Sequence, residues 1–266
     1  FLGLEPGGAA VLNADNPQFA RLKTSAKKAG VGHIVSFGEE ANADARLTDV
    51  SLHPACSTVR ANILGKDVTY KIGMPGRHVV MNSLAVLAAA TLAGADLALS
   101  GLALSQLRPA AGRGVRATLG LAEGTATLID ESYNANPASM KAAITVLGQA
   151  NVGPRGRRIA VLGDMLELGA TGPELHRGLN EAITANNIDA VFCCGPLMRN
   201  LWEALPSAKK GGYADHSAAL ESQVAAAIGT GDAIMVKGSL GSRMKIIVTA
   251  LEKRFPGKAA LDDLAV

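Results

Sequence analysis

Aromatic residues are scarce in this 266-residue sequence, at 3% of the total with one tryptophan, Trp202. Proteins that bind single-stranded nucleic acid stack the bases on aromatic side chains, so a nucleic-acid partner is not expected. Cysteine is also rare. Cys56 stands alone, whereas Cys193 and Cys194 are neighbours in a strand-like run, where adjacent side chains point to opposite faces. We therefore expect reduced, buried thiols, as in a cytoplasmic protein, and no disulfide framework.

No charge of one sign dominates, and no apolar run is long. The 26 basic and 23 acidic residues give a formal net charge of +3, without a cluster of Lys or Arg that would attract a polyanion. The most apolar stretch, 79–92, is shorter than the roughly 20 residues that span a membrane. It also contains Asn82 and Ser83, so no membrane span is expected. The chain begins at Phe1 without an initiator Met, which we interpret as a start inside a longer protein.

Three common catalytic signatures are missing from the sequence. It contains no G-x-x-x-x-G-K-[ST] phosphate loop, no His, Cys and Asp cluster with metal-ligand spacing and no G-x-S-x-G nucleophile elbow. No metal-ligating residues are therefore predicted. Phosphoryl transfer depends on a phosphate loop and magnesium for positioning, so the chain by itself shows no machinery for that reaction.

What the sequence does contain is a regular alternation of Val- and Ile-rich runs with runs of helical period, the pattern of βαβ units. The fold class is therefore predicted as α/β, with two domains at residues 1–110 and 111–266. Proline and glycine over residues 109–114 interrupt both periodicities and predict a movable hinge at 110–114. In the second domain, continuous apolar strands indicate an open, doubly wound sheet.

Helix boundaries and the end of the chain follow from the same periodicity. One helix is predicted over residues 17–29 with Asn16 as its N-cap, and another over residues 173–185. No strand is predicted within residues 205–218. The last residues, 257–266, are predicted to form an irregular tail.

The densest polar run, 130–137, reads Asp-Glu-Ser-Tyr-Asn-Ala-Asn-Pro and lies between a predicted strand and a predicted helix. In open α/β sheets, ligands bind beyond the carboxyl ends of the strands, and helix N-termini attract anions. Asp130, Tyr133, Asn134 and Asn136 are therefore candidate binding residues. The alternative is that the amides of this run only form turns and helix caps.

Two further predicted strands end in a charged residue beside a glycine. Asp164 follows one strand and Lys237 ends the other, so opposite charges are expected at one edge of the sheet, where glycine lets backbone approach a ligand. A lysine solvated at a turn is the alternative for Lys237. His176 is either a partner for a carboxylate or a structural residue of its helix.

Asn82 and Arg113 complete the set of candidates. Asn82 lies one helical turn after His78, and a buried amide there would suit a two-pronged partner such as an adenine edge. A buried amide bonded to backbone is the alternative. Arg113, in the predicted hinge, could clamp phosphates across a cleft or could be an ordinary linker cation.

The order of these motifs resembles that of the Mur ligases. The resemblance rests on five runs: Gly76-Arg-His78 with Asn82, Gly112-Arg113, Leu128-Ile-Asp-Glu-Ser-Tyr-Asn-Ala-Asn-Pro137, Gly163-Asp-Met-Leu-Glu-Leu-Gly169 and Val236-Lys-Gly-Ser239. It extends over essentially the whole chain. Within the family, the runs around Tyr133 and Asp164 point to the branch that adds D-alanyl-D-alanine.

Ligases of that branch have three domains. The resemblance implies that this chain holds the C-terminal part of the central ATP-binding domain followed by a complete, Rossmann-like ligase domain. It implies ATP and Mg2+ as cofactors, with the phosphate loop and the metal ligands upstream of Phe1. It implies UDP-N-acetylmuramoyl tripeptide and D-alanyl-D-alanine as substrates, joined through an acyl phosphate in peptidoglycan precursor synthesis. A cytoplasmic monomer is expected, and the chain alone is expected to be inactive.

The resemblance also implies roles for the candidate residues. Those assigned to the nucleotide are Asn82, Arg113, Asp130, Tyr133, Asn134 and Asn136. Those assigned to the dipeptide or the acyl phosphate are Asp164, Lys237 and Ser239. Asn82 would bind the adenine, Asp130 the ribose hydroxyls and Arg113 the phosphates. Arg113 and Lys237 would be the catalytic residues.

Two positions depart from the family pattern. Val79 stands where many relatives carry Asn, so a nucleotide contact there would be lost, and Arg243 is displaced from the usual place of Arg directly after Lys-Gly-Ser. Two alternative functions are open. A non-catalytic nucleotide- or peptide-binding α/β module fits the missing phosphate loop. A ligase like folylpolyglutamate synthase or the cyanophycin type would normally have Gly-Ala-His in place of Ser132-Tyr-Asn134.

Overall fold

The chain divides into two compact α/β units in a computed structural model that describes residues 1–257. The first unit ends at Arg108 and the second begins at Pro109. The predicted α/β class is confirmed in both units. The predicted tail, 257–266, falls outside the described residues except for its first residue. Within residues 1–257, no helix is long and apolar enough to cross a membrane.

The first unit is a mixed sheet with three helices. Its strands are β1 (Ala9–Asn13), β2 (His33–Gly38), β3 (Ala45–Leu52), β4 (Ser57–Ile63) and β5 (Lys66–Ile72). Its helices are α1 (Phe19–Lys28), α2 (Arg77–Leu92) and α3 (Leu97–Leu104). The strands lie in the order β1-β2-β3-β4-β5, parallel from β1 to β3 and antiparallel from β3 to β5. The apolar helix α2 packs on the sheet through Val80, Leu84 and Leu87, which are fully buried.

Local chemistry explains two boundaries in this unit. The β4–β5 hairpin closes at Leu64 and Gly65, whose φ angles of 49° and 84° match the right-handed twist of the flanking strands. Helix α1 begins at Phe19, two residues later than predicted. Asn16 is not its N-cap, because its side-chain oxygen accepts a hydrogen bond from the Gln18 amide at 2.8 Å in a turn before the helix.

The second unit is larger and has its helices on both faces of one sheet. Its strands are β6 (Val115–Leu121), β7 (Gly124–Glu131), β8 (Arg158–Gly163), β9 (Ala190–Cys194), β10 (Lys210–Ala214) and β11 (Ala233–Lys237). Its helices are α4 (Pro137–Gly148), α5 (Gly172–Arg177), α6 (Leu179–Ala185), α7 (Arg199–Ala204), α8 (Ser217–Ala227) and α9 (Lys245–Arg254). The strand order is β10-β9-β8-β11-β7-β6, with β6 antiparallel to β7 and all other pairs parallel.

Strands β8, β9 and β11 have apolar interiors because both faces of the sheet are covered. One core includes α4 and α6, and a second core lies under α8 and α9. The doubly wound sheet is therefore confirmed. Cys193 and Cys194 point into opposite cores, as the strand period requires, and Cys56 in the first unit is only half-buried.

Two elements of this unit differ from prediction. Strand β10 was missed because its sequence, Lys-Gly-Gly-Tyr-Ala, has no apolar run. The glycines are required there, since a Cβ atom at Gly211 would lie 2.5 Å from the ring of Phe192. The helix predicted over 173–185 is divided into α5 and α6 at Gly178, a residue of low helix propensity.

Candidate functional site

The carboxyl ends of β7, β8 and β11 meet at one edge of the second sheet, because these strands are parallel neighbours. Asp130, Asp164 and Lys237 are at that edge, and all three residues are buried, at 4%, 4% and 3% exposure. The three polar strand ends therefore lie together, as predicted. A buried charge is costly unless it is paired, so each of these residues needs a partner within the fold.

Asp130 is held by partners on two sides. One carboxylate oxygen accepts hydrogen bonds from the Ser132 hydroxyl at 2.6 Å and the Ser132 amide at 3.0 Å. The other oxygen pairs with the ammonium group of Lys245 at 2.8 Å. Burial acts to raise the pKa of Asp130, but the hydrogen bonds from Lys245 and Ser132 outweigh it and hold the pKa below its usual value.

Lys237 pairs with Glu131, a residue that the sequence did not single out. Its ammonium group donates to the Asn134 carbonyl at 2.9 Å and lies 3.4 Å from the Glu131 carboxylate. Burial lowers the pKa of Lys237 and raises that of Glu131, and each charge opposes the shift of the other. The two residues are opposite each other in the β11–β7 register, which is information that the sequence pattern alone does not supply.

Asp164 and Ser239 tie the loops after β8 and β11 together. The Asp164 carboxylate accepts hydrogen bonds from the amides of Met198 at 2.7 Å and Leu197 at 3.3 Å, and its backbone carbonyl accepts from the Ser239 amide at 3.0 Å. The Ser239 hydroxyl accepts from the Leu166 amide at 3.0 Å. Burial raises the pKa of Asp164 despite these bonds. Both residues therefore shape the sheet edge through backbone contacts.

Arg113 and Tyr133 form a cation–π pair. The guanidinium carbon of Arg113 lies 4.4 Å from the centre of the Tyr133 ring, and Tyr133 as a residue is 47% exposed. The predicted hinge is bonded within the second unit: the Tyr133 amide donates to the Gly112 carbonyl at 3.1 Å, and the Gly114 amide donates to the Asp130 carbonyl at 2.8 Å. Movement at this segment stays a prediction.

The two amides of the polar run behave as the turn and cap alternative describes. Asn136 is the N-cap of α4: its side chain accepts from the Ser139 amide at 2.8 Å, and its own amide donates to the Ser139 hydroxyl at 3.0 Å. The Asn134 side chain accepts from the Ala135 amide at 2.8 Å. These bonds use only the side-chain oxygens, so the side-chain NH2 group of each residue takes no part in them. Contacts of Asn134 and Asn136 with a nucleotide stay a prediction.

The remaining two candidates lie elsewhere. Asn82 is on α2 in the first unit and is exposed, so the premise of a buried amide was wrong, and its amide faces solvent. His176 is fully buried, and one ring nitrogen accepts a hydrogen bond from the Met165 amide at 2.9 Å. The other ring nitrogen is 2.6 Å from the Gly172 carbonyl, which requires the proton on that nitrogen. His176 is thus the structural residue of the two alternatives.

A cavity of about 500 Å³ opens beside this edge, beyond the ends of β8, β9 and β10. It is lined by polar and small residues that include Asp164, Gly195, Asp215 and Arg243. Its volume lies within the range of small-molecule sites. Among residues 1–257, no group of three or more His, Cys, Asp or Glu side chains could hold a metal ion.

Gly195 forms one wall of the cavity, and we expect Gly195→Ala to lower stability by about 1 to 3 kcal/mol. Its φ angle is +107°, and an added Cβ would lie 2.5 Å from the Asp164 carboxylate. Gly169→Ala is the matched control, because Gly169 also has positive φ, at +59°, but an added Cβ there meets nothing within 4 Å. Thermal unfolding of both variants measures the difference. Equal losses would show that contact with Asp164 is unimportant.

Two family models match successive parts of the chain. Residues 1–90 match the one described as Mur ligase middle domain, and residues 117–240 match the one described as Mur ligase, glutamate ligase domain. The UDP-N-acetylmuramoyl-tripeptide–D-alanyl-D-alanine ligase of Escherichia coli is 31% identical over 261 residues, which are 95% of this chain and 54% of that protein. The chain thus spans about half the length of the curated relatives it matches.

Solved structures are similar over the same extent. The crystal structure of MurF from Acinetobacter baumannii superimposes with a TM-score of 0.79 at 25% identity, over 94% of this chain and 52% of that chain. The structure of MurF ligase from Thermotoga maritima in complex with ADP has a TM-score of 0.72 at 22% identity, over 93% of this chain and 54% of that chain. The second likeness shows the fold alone.

Proposed function

Because the chain belongs to the Mur ligase family, we propose that it is the nucleotide- and dipeptide-binding part of an ATP-dependent ligase. The reaction would join D-alanyl-D-alanine to UDP-N-acetylmuramoyl tripeptide in peptidoglycan precursor synthesis. The Escherichia coli relative is named for these two substrates, which supports this choice. The observation that carries it is the sheet edge of the second unit, where Asp164, Lys237 and Ser239 converge beside a cavity large enough for a dipeptide.

Each of the two units contains residues suited to a nucleotide. In the first unit, the exposed amide of Asn82 offers a donor and an acceptor, the pair that an adenine edge requires. In the second unit, Arg113 presents a cation over the Tyr133 ring, and the guanidinium fork suits phosphate oxygens. ATP would supply the phosphoryl group that activates the tripeptide carboxylate. The part of these residues would be to bind and orient it.

The residues suited to the amine attack are buried and pre-positioned. Lys237 is held by Glu131 and the Asn134 carbonyl, so its charge is fixed near the sheet edge without exposure to water. A fixed cation in a poorly hydrated site stabilises negative charge that develops on an oxygen. Asp164 and Ser239 fix the loops on either side. We assign Lys237 an electrostatic role and the other two a role in shaping the dipeptide site.

Magnesium does not fit the described residues, since they contain no cluster of metal-ligating side chains. No step of the reaction is therefore assigned to Mg2+ within this chain. We propose that its ligands, and the phosphate loop, belong to another part of the enzyme. We also propose that the enzyme is a cytoplasmic monomer; the three free cysteines of the chain are compatible with a reducing compartment.

The natural full-length protein tests this function. Purified protein is incubated with ATP, Mg2+, UDP-N-acetylmuramoyl tripeptide and D-alanyl-D-alanine, and the pentapeptide product and ADP are quantified. Ligation that needs all four components supports the proposal. The 266-residue chain is the comparison and should give no product. If the full-length protein binds nucleotide or dipeptide but forms no product, the non-catalytic module is the better description.

Asn82→Ala is expected to raise the KM for ATP about tenfold in the full-length protein while leaving kcat nearly unchanged. One or two hydrogen bonds to a base edge contribute at this level. Because Asn82 is exposed, the free energy of unfolding should change by less than about 0.5 kcal/mol. Gln106→Ala, an exposed amide in the same unit, is the control. An unchanged KM for ATP would remove Asn82 from the nucleotide site.

A further inference from the structure

Arg243 has an unusual backbone conformation at the wall of the cavity. Its φ and ψ angles are 53° and 37°, in the left-handed region that non-glycine residues rarely adopt, and it follows the short turn Leu240–Ser242. An outlier of this kind is a reason to look for a function. The turn lies next to the Lys-Gly-Ser loop, since a Cβ added at Gly238 would lie 2.4 Å from the Ser242 hydroxyl.

The two acidic side chains and the histidine of the cavity already have partners. Asp164 accepts two backbone hydrogen bonds, and Asp215 accepts from the Tyr213 hydroxyl at 2.8 Å and from Arg199 at 3.4 Å. The His216 ring accepts from the Ala219 amide at 3.3 Å as the N-cap of α8. In contrast, the Arg243 guanidinium is exposed and makes no hydrogen bond or ion pair with any residue in 1–257.

The charges of the cavity distinguish between ligands. A phosphate would gain Arg243 but would also face the carboxylates of Asp164 and Asp215, which repel it. A zwitterionic dipeptide carries one carboxylate and one ammonium group, so it can satisfy the cation without adding net negative charge beside the two acids. The cavity's charge pattern thus favours a free dipeptide.

Resting on the proposed function, we propose that Arg243 binds the carboxylate of D-alanyl-D-alanine and selects dipeptides with a free C-terminus. A guanidinium can donate two parallel hydrogen bonds to a carboxylate, which fixes the orientation of the dipeptide as well as its position. The guanidinium makes no contact with the amino group at the other end of the dipeptide. Arg243 thereby becomes a specificity-determining residue, distinct from Lys237 at the sheet edge.

The test compares D-alanyl-D-alanine with its C-terminal amide as substrates of the full-length protein. The wild type should use the amide with a kcat/KM about ten to a hundred times lower, as expected for loss of a charge-assisted bond. Arg243→Gln should lower kcat/KM for the dipeptide by a similar factor and reduce the preference over the amide to less than about threefold. The KM for ATP should not change.

Two further variants keep the result interpretable. Arg155→Gln removes one exposed arginine from the loop before β8, at the opposite end of the strand, and should behave as wild type. Arg243→Gly suits the left-handed backbone and should lose the preference while remaining folded. If the wild type ligates the dipeptide but Arg243→Gln and Arg243→Gly retain its preference, or instead weaken ATP use, the inference is overturned. If the wild type ligates neither substrate, the proposed function itself has failed.

Discussion

Replacing Lys237 by methionine is expected to lower the free energy of unfolding of the 266-residue chain by about 3 to 5 kcal/mol, the usual cost of removing one partner from a buried ion pair. The Lys237 side chain is 4% exposed and the Glu131 side chain 19%. The substitution leaves the Glu131 carboxylate without its cation and the Asn134 carbonyl without its donor. Denaturant-induced unfolding, followed at the transition of the second unit, measures the loss of stability.

A double variant separates the pair from simple packing. Lys237→Met combined with Glu131→Gln removes both charges and should recover a large part of the stability, because no buried charge is then unpaired. Lys210→Met, at a half-buried position on β10, is the matched control. If Lys237→Met changed stability by less than about 0.5 kcal/mol, the Lys237–Glu131 pair would not stabilise the fold. In the full-length protein, rescued stability without rescued ligation would support the electrostatic role.

Replacing Asp130 by asparagine is expected to remove a contribution to stability of about 1.5 to 3 kcal/mol at neutral pH, as for hydrogen bonds to a charged group. The folded state holds the pKa of Asp130 below its usual value, through Lys245 and Ser132. This contribution is fully present above the unfolded pKa of about 3.9 and disappears as the pH falls through the folded value. The stability curves of wild type and variant should therefore converge in acid.

Unfolding measured from pH 7 downwards checks this expectation, with Asp49→Asn as the control because Asp49 is exposed in the first unit. A constant difference between wild type and variant at all pH values would contradict it. The same variant in the full-length protein tests the predicted ribose contact. Both oxygens of Asp130 already have partners, so a raised KM for ATP would mean that the nucleotide displaces or shares one of them.

Some site features could be predicted only as positions. Lys237 and Asp130 lie at the ends of predicted strands, and the rule for open α/β sheets was enough to place them at one edge. Their partners could not be found that way. Lys245 lies 115 residues from Asp130, and Glu131 lies 106 residues from Lys237. Such pairs depend on strand register and helix placement, which local periodicity does not encode.

The sequence by itself determined the α/β class, the doubly wound second unit and the polar run at the end of β7, because these follow from apolar periodicity and turn chemistry along the chain. The tertiary structure alone decided which polar groups are free. It made Asn136 a helix cap and His176 a structural residue, exposed Asn82, and left the guanidinium of Arg243 unpaired among the described residues. The physical reason is that the availability of a side chain depends on burial and on partners brought together by folding.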